Sequence, residues 1–222
     1  MQIMTLEPFT TLDTETKKRL SGATHSLFLK KGETPFTSTM LQEYFYVVQK
    51  GKIKTYQLNL ENAKEQTIFI LRAGDMFDTI TLLDSQAHDV MYEVLEESEV
   101  IQMPMVLVRE LITSNREFNQ YFFPYLAKQM RHMEELATDI SLYSTEERLI
   151  KLLLQNLDPS NILKYHLIQG LSNTEIASLI GTVRHVVERH LKKLKADGII
   201  DGKSKKLQID NAKKLLEKIN LF

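Results

Sequence analysis

The sequence predicts an α+β fold in three parts: a β-rich first half, a long helix, and a C-terminal winged helix-turn-helix. Three observations carry this. Short β-branched and aromatic runs, separated by turn signals about every 8–12 residues, fill the first half. Beyond Pro104 the apolar period changes from that of a strand to that of a helix. The stretch LSNTEIASLIGTVRHVVERHLKKLKADGIIDGKSKKLQI, Leu171 to Ile209, reads as two short helices around a tight turn, followed by a basic hairpin.

The strands come first. Ser26 to Leu29 alternates, and Lys31-Gly32-Glu33 turns. Tyr44 to Val48 is aromatic and β-branched, and Lys50-Gly51 is expected to turn the chain into a separate strand, Ile53 to Leu58. A polar loop, Asn59 to Lys64, precedes a strand from Gln66 to Leu71 that Ala73-Gly74-Asp75 breaks. Two further short strands are expected, Met91 to Leu95 and Val100 to Met103. Many short strands of this spacing build a sandwich or a roll.

The helices follow. Val106 to Ser114 makes a short one, and a long one runs from about Glu117 or Pro124 to Leu142. Along it Leu126, Met130, Met133, Ala137 and Ile140 recur at spacings of four, three, four and three, which is a coiled-coil seam. Such a stripe can pack on its own domain. Lying between a β domain and the winged helix-turn-helix, it is expected to be a dimer helix, giving a homodimer. His132, on the same helix, is expected to face solvent. Ser144 with Glu147 forms a capping box that opens a helix to Leu157, ended by Asp158-Pro159. The expected domains are therefore 1–114, a β sensor domain; 115–143, the dimerisation helix; and 144–222, the winged helix-turn-helix.

Within that last domain, Ser172 with Glu175 is a second capping box, and Ile176, Leu179 and Ile180 supply an apolar face. Gly181 stops the helix, because so tight a turn favours a residue that tolerates positive φ. Thr182 is expected to cap the second helix, whose apolar stripe is Val183, Val186, Val187, Leu191 and Leu194. Its other face carries Arg184, His185, Arg189, Lys192, Lys193 and Lys195. Gly198 ends it, and Asp201-Gly202 is a hairpin turn between Ile199-Ile200 and Leu207 with Ile209. A helix so presented is shaped for the major groove of double-stranded DNA. Charge agrees. Thr182 to Phe222 carries eleven Lys/Arg against five Asp/Glu, whereas the preceding residues carry seventeen against twenty-four. The overall net charge of −1 hides this asymmetry, and a basic end neutralises phosphates and releases counterions.

Composition excludes other classes. With no cysteine there are no disulfides, no thiolate nucleophile and no cysteine-ligated zinc or iron–sulfur cluster. The N-terminal residues lack the basic-then-apolar pattern of a signal peptide, and no run of about 18 apolar residues exists, so a cytoplasmic protein without a membrane partner is expected. The histidines, at positions 25, 88, 132, 166, 185 and 190, show no metal-ligand spacing of the cupin kind, and no GxSxG, P-loop or HExxH motif occurs. The chain is expected not to be an enzyme and to hold no metal. A DNA-free interaction module built on the long helix is the remaining alternative.

The segments EYFYVVQKGKIKTY and FILRAGDMFDTITLL, the long helix and LSNTEIASLIGTVRHVVERHLKKLKADGII, in this order, resemble the bacterial Crp/Fnr family of transcription regulators (the cyclic-AMP-receptor and fumarate-nitrate-regulator type) over nearly the whole chain. The resemblance implies a cyclic-nucleotide-binding-type β-roll, a dimerising helix, a winged helix-turn-helix bound to two-fold related half-sites, allosteric control, and RNA polymerase as a further partner. It also implies roles for particular residues. Val183 to Arg189 matches the family's reading segment S-R-E-T-V-x-R, so Arg184 and Arg189 become base contacts, each able to pair with guanine O6 and N7. His185 stands where that family's Glu accepts from cytosine. Asn173 and Thr174 match phosphate-contacting positions, and Lys192, Lys203 and Lys205 extend the phosphate contacts.

The effector region departs from the pattern. In the family's cyclic-nucleotide binders a Gly-Glu pair holds the ribose and an Arg-Ser pair the phosphate. Here those places read Asp78-Thr79 and Gln86-Ala87-His88-Asp89-Val90. Asp78, Asp84 and Asp89 surround the phosphate's place and no arginine occurs between Arg72 and Arg109, so Coulomb repulsion disfavours a cyclic phosphate. Asp78, Thr79, His88 and Asp89 are the expected effector-pocket residues for a signal other than cyclic AMP. The options are haem, with His88, His25 and Met91 as candidate axial ligands, a small metabolite, or a regulator active without effector.

Overall fold

In the computed structural model the described residues are 6–160, 166–201, 209 and 211–218. They divide into two compact units, Met1–Tyr56 with Phe69–Met133, and Gln57–Ile68 with Glu134–Phe222. Among them no helix is long and apolar enough to cross a membrane.

One antiparallel sheet comprises β1 (His25–Leu29), β2 (Tyr44–Asn59), β3 (Lys64–Leu71), β4 (Met76–Phe77) and β5 (Met91–Pro104); its residues within Gln57–Ile68 belong to the second unit and the rest to the first. Its order is β1-β5-β2-β3, with β4 paired to β2. Two expected breaks are absent. Lys50-Gly51 does not reverse the chain; β2 runs straight through it, and the register against β5 slips between Val48 and Lys50, Lys50 and Lys52, and Lys52 and Ile53. Gly51 is nonetheless required there. It sits at φ +96°, and a Cβ would fall 2.1 Å from Ser98 Oγ and 2.7 Å from Ser98 Cα. The glycine serves a bulge and a close strand approach rather than a turn. Likewise Met91–Leu95 and Val100–Met103 fuse into β5. The polar residues between them are held by ladders on both sides, with Ser98 opposite Leu29 and Glu99 opposite both Phe28 and Lys50.

Helices α1 (Thr14–Ala23), α2 (Ser38–Glu43) and α3 (Thr79–Asp84) were not expected. Each owes its start to a local cap: Asp13 accepts from Thr16 N, Thr37 from Met40 N, and Asp78 from Ile80 N. Their apolar stripes are too thin for periodicity to reveal, since α1 buries only Leu20. Helix α4 (Met105–Ser114) follows β5 directly, and α5 (Arg116–Leu142) carries Pro124 inside it. The start of α5 is anchored by Phe118 and Phe122, both fully buried and stacked at 5.4 Å, in a core with Phe9, Phe45, Met103 and Leu111. Burying each such ring contributes about 1.5–3 kcal/mol.

The second unit contains α6 (Thr145–Leu157), α7 (Asn173–Leu179), α8 (Arg184–Ala196) and α9 (Ala212–Glu217). Its core is aliphatic, formed by Leu149, Leu153, Ile176, Val187, Leu191, Leu194, Ile199 and Leu215. Ile200 and Ile209 form an antiparallel bridge where the wing was expected. Lys203 and Lys205 lie outside the described residues.

Candidate nucleic-acid interface and effector site

The helix pair α7–α8 is assembled by local chemistry. Ser172 and Glu175 close the expected capping box, each side chain accepting from the other's amide, and the box at Ser144 and Glu147 opens α6 in the same way. Gly181 lies at φ +66°, and Thr182 N donates to Ala177 O at 2.9 Å, which turns the chain out of α7. Thr182 is not the cap of the second helix. Val183, extended at φ −115°, takes the N-cap position without a side-chain bond, and α8 begins at Arg184. The helix therefore starts one residue later than expected. Val183 is correspondingly 43 % exposed rather than part of the buried stripe, which narrows to Val187, Leu191 and Leu194.

Opposite that stripe, Arg184, His185, Arg189 and Lys192 are exposed, as is Thr174 at the start of α7, while Asn173 is half-buried. Not all of the basic face is available. Lys193 donates to Glu146 at 2.8 Å, tying α8 to the first turn of α6 and holding the Glu146 carboxyl below its usual range. His190 is 8 % exposed, and its Nε2 lies 3.0 Å from Thr145 Oγ1. Desolvation pushes its pKa down, so it is a packing residue rather than a cation for DNA. Arg184 Nε donates to Glu188 Oε1 at 2.6 Å, and that contact is the largest cause holding the Glu188 carboxyl low, with an Asn173 side-chain hydrogen bond adding to it. Glu188 was not among the expected site residues. Its spacing of four from Arg184 was the available signal.

The expected effector residues meet at the start of α3. Asp78 is 3 % exposed; it accepts from Ile80 N and from Thr81 Oγ1 at 2.8 Å, and His88 Nδ1 lies 2.9 Å from its Oδ2. Thr79 opens α3 beside it, half-buried, and Asp89 is exposed. Asp78 is therefore not a bare charge facing a ligand, as charge counting implied, but one half of an ion pair. The Asp78 hydrogen bond, against some desolvation, raises the His88 pKa. Arg109, distant in sequence, also reaches this place. It donates through Nε to Leu82 O at 3.2 Å and through Nη2 to Thr81 O at 2.9 Å, satisfying carbonyls at the end of α3. Behind Asp78, Phe36, Tyr46, Phe77 and Tyr92 pack ring against ring at 4.6–5.5 Å.

Two of the candidate haem ligands, His25 and Met91, lie far apart. His25 pairs with Gln102 and Met91 with Tyr56, so they flank opposite ends of β5, roughly 35 Å of strand apart, and His88 Nδ1 is bonded to Asp78. His25 and Met91 therefore do not fit as the two axial ligands of one iron, while the Asp78 bond at Nδ1 leaves His88 Nε2 outside that contact.

Along α5, Met130 is 68 %, Met133 41 % and Ile140 44 % exposed, and Ala137 is exposed as well. Leu126, by contrast, is half-buried against the first unit's core. His132 does not point to solvent: it is half-buried, and its ring packs on Phe69 at 4.8 Å.

Comparison with known proteins gives two family matches, a cyclic nucleotide-binding domain over residues 26–115 and a Crp-like helix-turn-helix domain over residues 147–218. The chain is 26 % identical over 204 residues to the probable transcriptional regulator flp of Lacticaseibacillus casei, covering 92 % of this chain and 91 % of that one. It is also 26 % identical over 186 residues to the cyclic AMP receptor protein of Thermus thermophilus, covering 77 % and 76 %. A solved structure of a protein of the crp/fnr family from Eubacterium rectale superimposes with a TM-score of 0.73 at 20 % identity, over 96 % of this chain and 97 % of that one.

Proposed function

Because the chain belongs to the Crp/Fnr family of transcription regulators, we propose that it is a homodimeric, sequence-specific DNA-binding regulator, not an enzyme, whose β-roll answers a signal other than cyclic AMP. The observation that carries the DNA reading is the exposed face of α8. Arg184, His185, Arg189 and Lys192 project from a helix whose opposite side is locked into the core by Val187, Leu191 and Leu194. A rigidly seated helix with long cations on its free side is what major-groove reading needs. Arg184, His185 and Arg189 take the bases in this reading. Asn173, Thr174, Lys192, Lys203 and Lys205 take the phosphates. The exposed Met130, Met133, Ala137 and Ile140 support a partner helix from a second copy, and two-fold related half-sites match a two-fold dimer.

The effector reading rests on Asp78, Thr79, His88 and Asp89. A cyclic phosphate needs a cation, and the two beside α3 are committed, His88 to Asp78 and Arg109 to the α3 carbonyls. The Tyr46 hydroxyl is fully buried and meets no hydrogen-bond partner among the described residues. Cytoplasmic DNA and RNA polymerase complete the setting.

Titration against the preferred duplex and a scrambled one across salt tests the DNA reading. Arg189→Ala should weaken the preferred duplex by about 1–3 kcal/mol per half-site and the scrambled one far less. Lys192→Ala should weaken both alike and lower the log–log salt slope by about one unit per lost phosphate contact. Equal losses on both duplexes for Arg189→Ala would mean that another element enters the groove.

A further inference from the structure

Glu188 is the sole acid between Arg184 and Ala196, on a face otherwise made of Arg184, His185, Arg189 and Lys192. At about 100° per residue it falls about 40° round the helix from Arg184 and about 100° short of Arg189, inside the arc those two arginines bound. A carboxylate in the middle of a phosphate-binding face weakens every polyanion contact by Coulomb repulsion. Helix stability does not account for it. Arg preceding Glu at this spacing is the less favourable order, and an exposed pair contributes little.

The geometry of the pair offers another account. The 2.6 Å bond uses Arg184 Nε, the nitrogen on the side of the guanidinium. It does not consume the two terminal nitrogens, whose end-on fork matches guanine O6 and N7. Glu188 is thus placed to aim the fork without occupying it. From α7 the Asn173 side chain adds a smaller hydrogen-bonding contribution that keeps the same carboxyl low. The Arg184 side chain is 67 % and that of Glu188 42 % exposed, so both stand proud of the face. A carboxylate has about four acceptor positions, and two donors leave capacity for a third. On a base-pair edge the donor that a carboxylate accepts from is the N4 amino group of cytosine.

We propose that Glu188 is a specificity-determining residue of the DNA-reading face, holding Arg184 toward a guanine and itself accepting from the amino group of a cytosine. This rests on α8 being the helix in the groove. It adds to that reading the one carboxylate between Arg184 and Ala196, and with it discrimination that arginines and lysines alone do not supply.

The test is selection from a random duplex pool by the full-length chain and by Glu188→Gln and Glu188→Ala, with circular dichroism confirming that both variants are folded. The wild-type chain should enrich a two-fold motif. Both variants should lose preference for one cytosine per half-site by about fivefold or more, and bind scrambled duplex more tightly because one negative charge per protomer is gone. Motifs unchanged at every position in both variants would make the ion pair a solvated contact and overturn the proposal while leaving the DNA reading intact. No enriched motif from the wild-type chain would overturn the DNA reading, and this proposal with it.

Discussion

Three donors or potential donors converge on the Asp78 carboxylate, which explains how an acid comes to be 3 % exposed beneath a ring cluster: the Ile80 amide, the Thr81 hydroxyl and the His88 ring. The last has a pH signature. Because the Asp78 hydrogen bond raises the His88 pKa in the folded chain, the pair's contribution is fully present below histidine's ordinary value. It is lost as pH rises through the raised value. His88→Gln, which keeps a hydrogen-bonding group but no charge, should therefore cost about 1–2 kcal/mol near pH 5.5 and progressively less toward pH 9. Thermal melts of the two proteins across that range measure the difference, and a gap constant with pH would show that the imidazolium charge adds nothing. Asp78 and His88 were legible in the sequence as neighbours in one short stretch. Arg109 was not, because its 27- and 28-residue separation from the carbonyls it satisfies carries no local pattern.

Among the elements, α5 has the most to test. Its first turns are spoken for by Phe118 and Phe122 in the first unit's core, and Leu126 leans on that same core. The stripe that follows lacks such cover among the described residues: Met130 is 68 % exposed. Large apolar side chains recurring on one helix face are the mark of an interface. In the proposed dimer Met130→Glu puts one charge per protomer into the helix interface and should shift the protein toward monomer in sedimentation velocity, with its melting little changed at low concentration. A variant as dimeric as the wild-type chain would remove Met130 from the seam. The same scale shows where periodicity succeeds and fails. Helices α6, α7 and α8 were readable because Ser, Glu and Gly punctuation agrees with an apolar stripe. Strand β2 was misread as two, because Lys50-Gly51 carries the composition of a turn while the backbone needs only a bulge.

For the whole molecule, the near-zero net charge conceals an acidic majority and a basic C-terminal segment. The salt-sensitive partner is thus expected on the C-terminal segment of the sequence and the effector on its N-terminal half. Cyclic AMP should produce no binding isotherm at sub-micromolar affinity in calorimetry on the full chain, and should change DNA affinity by less than about twofold. Tight binding coupled to a gain in DNA affinity would show that the His88–Asp78 pair opens for the phosphate, and would return the chain to the nucleotide-responsive branch of its family.

What the sequence determined by itself is what local physics encodes. Element order, the capped helix pair around Gly181 and the segregation of charge depend on spacing, caps and composition within about a dozen residues. What only the tertiary structure decided is which of those residues are available. His190 and Lys193 sit on the basic helix by sequence, yet Thr145 and Glu146 engage them; His132 lies on an apparently polar face, yet stacks on Phe69. Asp78 looks like a free acid, yet His88 neutralises it when protonated. In most of these cases the partner comes from a distant segment. A side chain's burial, charge state and reach follow from who its neighbours are, and chain closure, not local pattern, chooses the neighbours.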